Sequence, residues 1–570
     1  MRLRAVVACI VLLAGGFPFE PPGTSAQQAE KSPLLKAMEE EMRRSMKGLG
    51  EKADPPPYFI SYYVAEEEQT SIASSFGALR GSSTNTSRYL DVQVRVGDYK
   101  LDNMRQIRGD SFGAFLDFQP PVPITVENDP DAIKSVIWRE TDRKYAAAVE
   151  RLIQVKTDAA VKVKPEDGSP DFSRETPQQH LGALSHVRVD AAAWEKRLKQ
   201  LSALFNQYPE VHECSVSLRA SATNKYFVNS EESLIQHGLK HWRVGVYATT
   251  KADDGMELYR YEFFDAHSPE GLPDDKAISQ AIDRVAKDLR DLRKAPAIDP
   301  YTGPAILTGR AAGVFFHEIF GHRIEGHRQK DEEEGQTFTK NVNQKVLPDF
   351  ISVVDDPMME RAAGVDLNGH YRYDDEGVKA QPVPVVEKGV LKNFLMSRSP
   401  VAGFGKSNGH GRKQVGFNAV GRQGNLIVQA AQTVSESRLR EMLIEECRKQ
   451  GKQFGLVFKD ISGGFTFTGR GNPQVFQVTP IMVYRVYTDG RPDELVRGVD
   501  LIGTPLMSFS KILACGDKQE VFNGYCGAES GIVPVSALAP SILTAQIEIQ
   551  KKEKSADRPP LLPPPGRRSH

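Results

Sequence analysis

The spacing of apolar and polar residues divides the chain into two differently patterned halves. In the first half, apolar residues recur at helical spacing over 33–49, 131–164, 190–207 and 275–294. Between these stretches, segments such as "YFISYYVA" and "DVQVRVGD" alternate apolar and polar residues, as half-buried strands do. We therefore predict a mixed α/β domain over residues 27–300 that opens with an entry helix at 33–49.

The second half carries short apolar segments separated by glycine-rich turns. It follows the turn-forming stretch "APAIDPYTGPAILTG" near residue 300 and includes "VPVVEKGVLKNFLMS" and "GLVFKDISGGFTFTG". This pattern is typical of strands joined by tight turns, so a β-rich domain is predicted over residues 301–551. The two halves together predict an α+β fold class. The proline-rich tail, 552–570, is predicted to be disordered.

The first residues have the composition of an export signal. "MRLRAVVACIVLLAGG" places two arginines before an apolar run, and the small residues "TSA" follow before "QQAEK". This pattern predicts a signal peptide over residues 1–26, cleaved after Ala26. Because the apolar run is too short to span a bilayer, no integral membrane segment is expected to remain after cleavage. The mature protein is therefore predicted to be exported, either to a periplasm or to the medium.

Charge excludes some classes of partner. The 73 Lys and Arg residues nearly balance the 74 Asp and Glu residues, so the formal net charge is −1. A chain without excess charge of one sign has no general field to attract nucleic acid or an anionic membrane. No nucleic-acid partner is expected, and function must be sought in local sites.

The stretch "HEIFGHRIEGH", residues 317–327, is rich in metal-ligand side chains. In the zinc-binding HExxH helix, two histidines four positions apart point to the same side, about 40° from each other. Here His317 and His322 are five positions apart, which separates them by about 140° on a regular helix. A shared ion therefore requires an irregular backbone, and we predict a π-type bulge at Gly321.

The residues around this pair suggest a hydrolytic metal site, although a charged helix face would have a similar composition. Glu318 has the position of a general base toward a metal-activated water. A catalytic zinc needs a third protein ligand, and the local candidates are Glu325 and His327. A distant candidate is Cys526 in "NGYCGAESG", which otherwise is a buried thiol or a disulfide partner of Cys515.

Two further motifs have weaker implications. "GFGKSNGHGR", residues 403–412, is not a phosphate-binding loop, because Pro400 stands where that motif requires glycine. His410 and Arg412 within it are predicted either to line a cleft that binds a peptide backbone or carboxylate, or to sit on a turn. "YDDEG", residues 373–377, is predicted to be a solvated acidic turn rather than a second metal site.

Six separated segments together resemble the TldD/PmbA family of metallopeptidases. In chain order they are "HEIFGHRIEGH", "VVDD", "YDDEG", "SNGHGR", "VRGVDLIGTPLMSFSKI" and "GYCGAESGIVPVSALAPSILTAQIEI". The resemblance is dense from about residue 300 to 551 and looser before it. Since the chain contains HExxxH, it is similar to the TldD-like members that carry this motif, and not to the PmbA-like partners that lack it.

The resemblance implies a zinc metallopeptidase. The implied zinc ligands are His317, His322 and Cys526, with Glu318 as catalytic base. The implied fold is an α/β N-terminal domain followed by a β-rich C-terminal metallopeptidase domain. The implied assembly is a dimer around an enclosed cavity, either a homodimer or a heterodimer with a PmbA-like chain, with short or unfolded peptides as substrates.

The chain departs from the family pattern at one position of the motif. Many TldD-like sequences continue with "EGD", whereas this chain has "EGH", so His327 is expected to compete as a ligand or to contact the ligands, like Glu325. Two alternative functions follow. One is a non-catalytic peptide-binding subunit whose zinc is absent or structural, with His327 completing a closed shell. The other is a zinc hydrolase of a different amide.

Overall fold

The computed structural model describes residues 29–107, 120–161, 167–331, 334–470, 476–503 and 505–552. The predicted signal peptide and all but the first residue of the predicted disordered tail lie outside the described residues. Over the described residues, helices and strands are mixed in the first half and strands dominate the second. The predicted α+β fold class is confirmed.

The first half of the chain forms one sheet with helices packed on it. Its strands are β1 (Pro57–Ser75), β2 (Ala78–Val96), β3 (Val122–Pro123), β4 (Gln179–Leu181), β5 (Glu213–Asn229), β6 (Leu234–Lys251) and β7 (Glu257–Ala266). Their order is β3-β2-β1-β5-β6-β4, and β7 also pairs with β6. The helices are α1 (Pro33–Lys52), α2 (Pro130–Val161), α3 (Ala191–Ala203) and α4 (Asp275–Lys294). Helices thus occupy each of the segments with helical spacing.

The two faces of this first sheet have different neighbours. Successive residues of a strand point to opposite faces. Ile60, Tyr62 and Val64 of β1 pack in a buried cluster with residues of α1 and α2. Tyr63 points to the other face and packs near Tyr373, which belongs to the second half of the chain. The face opposite the helices therefore supports part of the second half.

The second half is built around a larger sheet and two short ribbons. The sheet strands are β8 (Tyr301–Leu307), β9 (Ile351–Asp355), β12 (Val383–Glu387), β13 (Val390–Leu391), β16 (Asn425–Ala430), β17 (Phe454–Thr466), β18 (Phe476–Tyr487), β19 (Glu494–Val496), β20 (Val499–Gly503), β21 (Ile512–Ala528) and β22 (Gly531–Lys551). The ribbons are β10 (Arg361–Ala362) with β11 (Val365–Asp366), and β14 (Gly411–Arg412) with β15 (Val420–Gly421). The helices are α5 (Gly309–Ile319), α6 (His327–Lys330), α7 (Glu436–Lys449) and α8 (Pro505–Ser510).

Five strands of the larger sheet form a closed circuit. Strand β8 pairs with both β17 and β22, and the path from β22 returns through β20, β18 and β17. Strand β21 forms a long hairpin with one edge of β22, and the other edge of β22 pairs first with β16 and then with β8. The hairpin of β21 and β22 therefore lies at the centre of the second half.

Helix α5 lies directly against this centre and is buried along its whole length. Two glycines four positions apart permit the close approach. A Cβ atom at Gly309 would lie 2.6 Å from the carbonyl oxygen of Ala539, and one at Gly313 would lie 3.1 Å from that of Ala537. Since both alanines belong to β22, the small residues before the histidines bring the end of α5 next to the β21–β22 hairpin.

The cysteines of the described residues, which are Cys214, Cys447, Cys515 and Cys526, are all buried, and Cys447, Cys515 and Cys526 are free thiols. A disulfide between Cys515 and Cys526 is therefore not formed. Within the described residues, no helix combines the length and the apolar character needed to cross a membrane.

Candidate metal centre

Three side chains that bind metals meet at the end of α5. His317 lies in the last turn of α5, His322 in the short turn that follows, and Cys526 near the end of β21. One ligand atom from each side chain lies within 4.8 Å of the ligand atoms of the other two, and all three residues are buried. We refer to these three residues as the His–His–Cys cluster.

The backbone geometry that brings the two histidines together differs from the predicted one. The predicted π-type bulge at Gly321 is wrong: α5 ends at Ile319, and a 3₁₀ turn covers Gly321–Ile324. Ending the helix frees the following residues from the helical rotation of about 100° per residue. The tighter turn then places the rings of His317 and His322 with their centroids 5.2 Å apart.

Gly321 is nevertheless required, for a packing reason. A Cβ atom at this position would lie 1.9 Å from Oε1 of Gln423 and 2.2 Å from its Cδ. The Gln423 side chain therefore occupies the space that any other residue at 321 would need. Its Nε2 lies 3.4 Å from the carbonyl oxygen of His317, to which it donates a hydrogen bond. Gln423 thus packs against the turn between the two histidines and bonds to the backbone of the first.

The atoms of the cluster face one another. Sγ of Cys526 lies 3.3 Å from Nε2 of His322, and Oε2 of Glu318 lies 3.9 Å from the same nitrogen. Nδ1 of His317 is buried without a hydrogen-bond partner. Two imidazoles and a thiol are side chains that bind zinc. The donor set and its burial fit a zinc ion held by His317, His322 and Cys526.

The electrostatic surroundings favour the thiolate form of Cys526. Burial alone would raise the pKa of this thiol, but the positive charges of His322, His317 and Arg422 outweigh burial and hold the pKa well below its ordinary value. Only the thiolate form of cysteine is a metal ligand. The surroundings therefore favour the negatively charged form of the sulfur, which is the form that binds a cation.

Glu318 lies beside the cluster and is almost fully buried. Burial raises the pKa of this carboxyl group above its ordinary value, although the nearby histidines and the backbone of Gly464 act in the opposite direction. A raised pKa makes a carboxylate a better proton acceptor, as a general base requires. Its position and its pKa are those expected of a general acid and base.

Glu325 supports the cluster from the side away from Cys526. Its Oε2 accepts a hydrogen bond from Nδ1 of His322 at 3.3 Å and another from Nε of Arg328 at 2.9 Å. Burial would raise the pKa of Glu325, but His322, Arg328 and Arg422 outweigh burial and lower it to about 2. This permanent negative charge keeps a proton on Nδ1 of His322, so Nε2 remains available as a ligand.

His327 lies outside the His–His–Cys cluster. Its Nε2 contacts Oε1 of Glu529, whose Oε2 accepts a hydrogen bond from Arg328 at 2.8 Å. Glu325, His327 and Glu529 also lie close enough together for a cation, but Arg328 already bonds to both carboxylates. These residues therefore form an ionic network next to the cluster, and His327 does not complete a fourth position as a closed site would require.

His410 and Arg412 are both buried, so neither sits on an exposed turn. Nε2 of His410 lies 3.2 Å from Oδ1 of Asp355. Arg412 donates from Nη1 to the backbone carbonyl of Gln423 at 2.6 Å, and its guanidinium lies over the ring of Tyr371. Both residues thus brace the segment that carries Gln423.

The prediction of a solvated acidic turn at 373–377 is wrong. Asp374, Asp375 and Glu376 are all buried. Asp375 pairs with Lys225 of β5 at 2.7 Å, and three backbone N–H groups donate to Asp374. The acidic residues are buried because their partners come from the first sheet and from β14, which local sequence does not reveal.

Four residues of the site were not singled out from the sequence. They are Arg328, Arg422, Gln423 and Glu529. Arg422 and Gln423 stand in "VGRQGN", a polar pair between glycines immediately before the apolar strand β16. Polar residues directly before a buried strand could have indicated a site, since a charge held next to such a strand normally has a bonded partner.

The second half of the chain is similar in sequence to proteins described as metalloproteases. The model of the PmbA/TldA metallopeptidase C-terminal domain matches residues 300–551. A metalloprotease of Archaeoglobus fulgidus is 30% identical over 250 residues, which is 43% of this chain and 53% of that protein. A zinc metalloprotease TldD homolog of Saccharolobus solfataricus is 24% identical over 275 residues, or 48% of this chain and 57% of that protein. This chain therefore spans about half the length of these two relatives.

A solved structure has the same overall fold. The crystal structure of TldE from Thermococcus kodakarensis matches with a TM-score of 0.58, covering 90% of this chain and 100% of that chain. Because sequence identity is 12%, this likeness shows the fold alone.

Over its second half, the chain is thus similar to proteins described as metalloproteases. The similarity to the TldD/PmbA family lies in the second half of the chain, where the family model matches residues 300–551.

Proposed function

We propose that this protein is an exported zinc-dependent metallopeptidase that hydrolyses peptide bonds in short or unfolded peptides. One observation carries the proposal: two histidines and a cysteine converge at the end of a buried helix, with the carboxyl group of Glu318 beside them. The relatives named as metalloproteases and as a zinc metalloprotease support the same assignment.

The chemistry follows from the positions of these groups. Zinc held by His317, His322 and Cys526 would polarise the scissile carbonyl and lower the pKa of the attacking water. Glu318 accepts the proton of that water, and its buried carboxylic acid form then donates the proton to the leaving amine. The raised pKa of Glu318 suits this return, because burial favours the protonated form of the carboxyl group.

The strand next to Glu318 supports a peptide as the substrate. Strand β17 pairs with β18 along its whole length, but β8 pairs with it only at 456–458. Within the described residues, the edge of β17 near Gly464 therefore lacks a paired strand on the side facing Glu318. An extended peptide that paired with this edge would bind through its backbone, which tolerates many sequences.

The replacement of Glu318 by glutamine tests the role of the base. Glu318→Gln keeps the shape of the side chain but cannot accept a proton, so we expect peptide hydrolysis to fall by at least ~100-fold while bound zinc remains. A library of internally quenched peptides measures the activity, and Glu441→Gln on the exposed surface of α7 is the matched control. Activity of Glu318→Gln equal to that of the control would refute the assigned role.

Elemental analysis of the purified mature protein tests the metal site itself. We expect zinc at close to one ion per wild-type chain and a large loss in both His322→Ala and Cys526→Ala, with circular dichroism confirming that both variants fold. Stoichiometric zinc without hydrolysis of any peptide would support the non-catalytic binding subunit. Hydrolysis limited to non-peptide amides would support the hydrolase of another amide.

We further propose export and a dimeric assembly, each with a direct measurement. N-terminal sequencing of protein recovered outside the cytoplasm should begin at Gln27, and an intact Met1 terminus would argue against cleavage. Light scattering of the mature chain alone should give twice the monomer mass if it is a homodimer. A monomer that gains activity only with a PmbA-like chain would identify the heterodimer.

A further inference from the structure

Arg422 is a fully buried arginine that holds the loop carrying Cys526. Its Nη2 donates to the carbonyl oxygen of Cys526 at 2.8 Å. Its Nη1 donates to Oγ of Ser530 at 2.8 Å and to the carbonyl oxygen of Gly531 at 3.1 Å. These acceptors lie on both sides of the turn between β21 and β22. One guanidinium therefore fixes the course of the turn next to the thiol.

The same guanidinium faces the carboxylate that orients the second histidine. Nε of Arg422 lies 3.4 Å from Oε1 of Glu325, and both side chains are inaccessible to solvent. The other oxygen of Glu325 accepts from Nδ1 of His322, whose Nε2 faces Sγ of Cys526. Arg422 is thus linked to the backbone of one ligand and, through Glu325, to the ring of another.

Arg422 is itself held in place by buried groups. Its backbone N–H donates to the carbonyl oxygen of His410 at 2.9 Å. The carboxylate of Asp355 contacts Nε2 of His410 at 3.2 Å and accepts from the backbone N–H of Gly424 at 3.0 Å. The backbone of Arg422 is therefore linked to this buried carboxylate through His410, and the backbone of Gly424 is bonded to it directly.

We propose that Arg422 is a positioning residue for the metal site, which sets the distance between Cys526 and His322 by bridging the Cys526 loop and Glu325. This inference rests on the proposed zinc site. The planar guanidinium presents several donors in fixed directions, and lysine offers a single point charge that cannot reach all four contacts. Outer contacts of this kind commonly change metal affinity by about 10-fold to 100-fold when they are removed.

The test compares two lysine substitutions of buried arginines. Arg422→Lys keeps the charge and removes the bridge. Arg398→Lys is the matched control, because Arg398 is equally buried and bonds to Ser173 and Glu231, away from the cluster. Equilibrium competition for Zn²⁺ with a chromophoric chelator should show about 10-fold to 100-fold weaker binding in Arg422→Lys, and wild-type binding in Arg398→Lys.

A second readout separates positioning from general loss of stability. Co²⁺ bound in place of zinc gives a thiolate charge-transfer band that depends on the geometry at Cys526. We expect this band to shift or weaken in Arg422→Lys and to remain unchanged in Arg398→Lys. Ser530→Ala removes a single acceptor of Arg422 and should weaken zinc binding several-fold, so it provides the test if Arg422→Lys does not fold.

The outcomes distinguish this inference from the proposed function. Wild-type zinc affinity and an unchanged cobalt band in Arg422→Lys would overturn the inference, provided that His322→Ala and Cys526→Ala still lose the metal. If Arg422→Lys does not fold, wild-type affinity in Ser530→Ala would overturn it. A wild-type protein that binds no zinc would overturn the proposed function and the inference together.

Discussion

Gly321 separates the two histidines of the cluster, and its lack of a side chain leaves room for Gln423. The sequence indicated that the backbone must be irregular at this point, because five-residue spacing places two histidines on different sides of a helix. It could not indicate the form of the irregularity. A π-type bulge and a helix end followed by a 3₁₀ turn both satisfy the spacing, and packing of Gln423 against the turn is a tertiary effect.

A substitution at Gly321 tests this packing. In Gly321→Ala, the new methyl group must displace the amide of Gln423, which then loses its hydrogen bond to His317. We expect unfolding free energy to fall by about 1–3 kcal/mol, as in other overpacked sites, and zinc affinity to fall with it. Urea unfolding and chelator competition measure the two effects.

A double-mutant cycle gives the control for this prediction. In a Gln423→Ala background the obstructing amide is absent, so Gly321→Ala should cost much less than in the wild type. Equal costs in the two backgrounds would mean that the requirement for glycine has another origin.

At the scale of elements, helices of the first half were predictable because each has a regular apolar stripe and a clear start. Helix α4 begins after the capping residue Asp274 and buries its apolar positions on β6 and β7. In the second half, α7 was not predicted, although Ser435 caps it. The segments before and after α7 in the sequence are strands, and the turn-rich pattern around it favoured the prediction of further strands in place of a helix.

Strand β17 is expected to affect catalysis because its residue Gly464 packs against Glu318. A Cβ atom at Gly464 would lie 2.7 Å from the backbone carbonyl oxygen of Gln477 and 3.2 Å from Cγ of Glu318. Because backbone cannot move as easily as a side-chain end, Gly464→Ala should displace the strand from Glu318. We expect kcat to fall by about 10-fold to 100-fold, a typical effect of misplacing a reacting group, with bound zinc unchanged.

Steady-state kinetics on a quenched peptide and zinc analysis check this expectation. Gly81→Ala in β2 is the matched substitution, since a Cβ atom there meets no atom within 4 Å. An unchanged kcat in Gly464→Ala would show that β17 does not position Glu318.

At the scale of the whole molecule, contacts between the two halves of the chain were not predictable from local sequence. The pattern of "YDDEG" is typical of an exposed turn, yet Asp375 is buried against Lys225 and the hydroxyl group of Tyr63. Likewise, no local spacing connects Cys526 with the histidines. From the residues alone Cys526 was one of several candidates for the third ligand, and the family resemblance favoured it. The pairing of β21 with β22, which brings it to α5, is a tertiary effect.

The contact between Asp375 and Lys225 predicts a pH-dependent stability. Burial raises the pKa of Asp375, but Lys225 and the backbone N–H of Lys413 outweigh burial and hold it below its ordinary value. A lowered pKa in the folded state gives stability above the unfolded value of about 3.9, and this stability is lost as the pH falls through the folded value. Asp375→Asn should therefore lower unfolding free energy at pH 7 by about 3 kcal/mol.

Urea unfolding as a function of pH checks this prediction, and the difference between wild type and Asp375→Asn should shrink below about pH 4. Asp493→Asn is the control, because Asp493 pairs with Arg440 on the exposed surface and should change stability by less than about 1 kcal/mol. A difference that stays constant down to acid pH would show that the charge of Asp375 is not the cause.

The separation of the ligands along the chain has a consequence for biosynthesis. Cys526 follows His322 by 204 residues. A growing chain therefore presents both histidines long before the ribosome adds the thiol, and the two imidazoles alone lack the third ligand that a catalytic zinc site needs. In the proposed zinc site, tight metal retention would begin only when translation has passed β21 and that strand has folded against α5. Zinc content would then serve as a marker of completed synthesis, and prematurely terminated chains would lose their metal to a competing chelator.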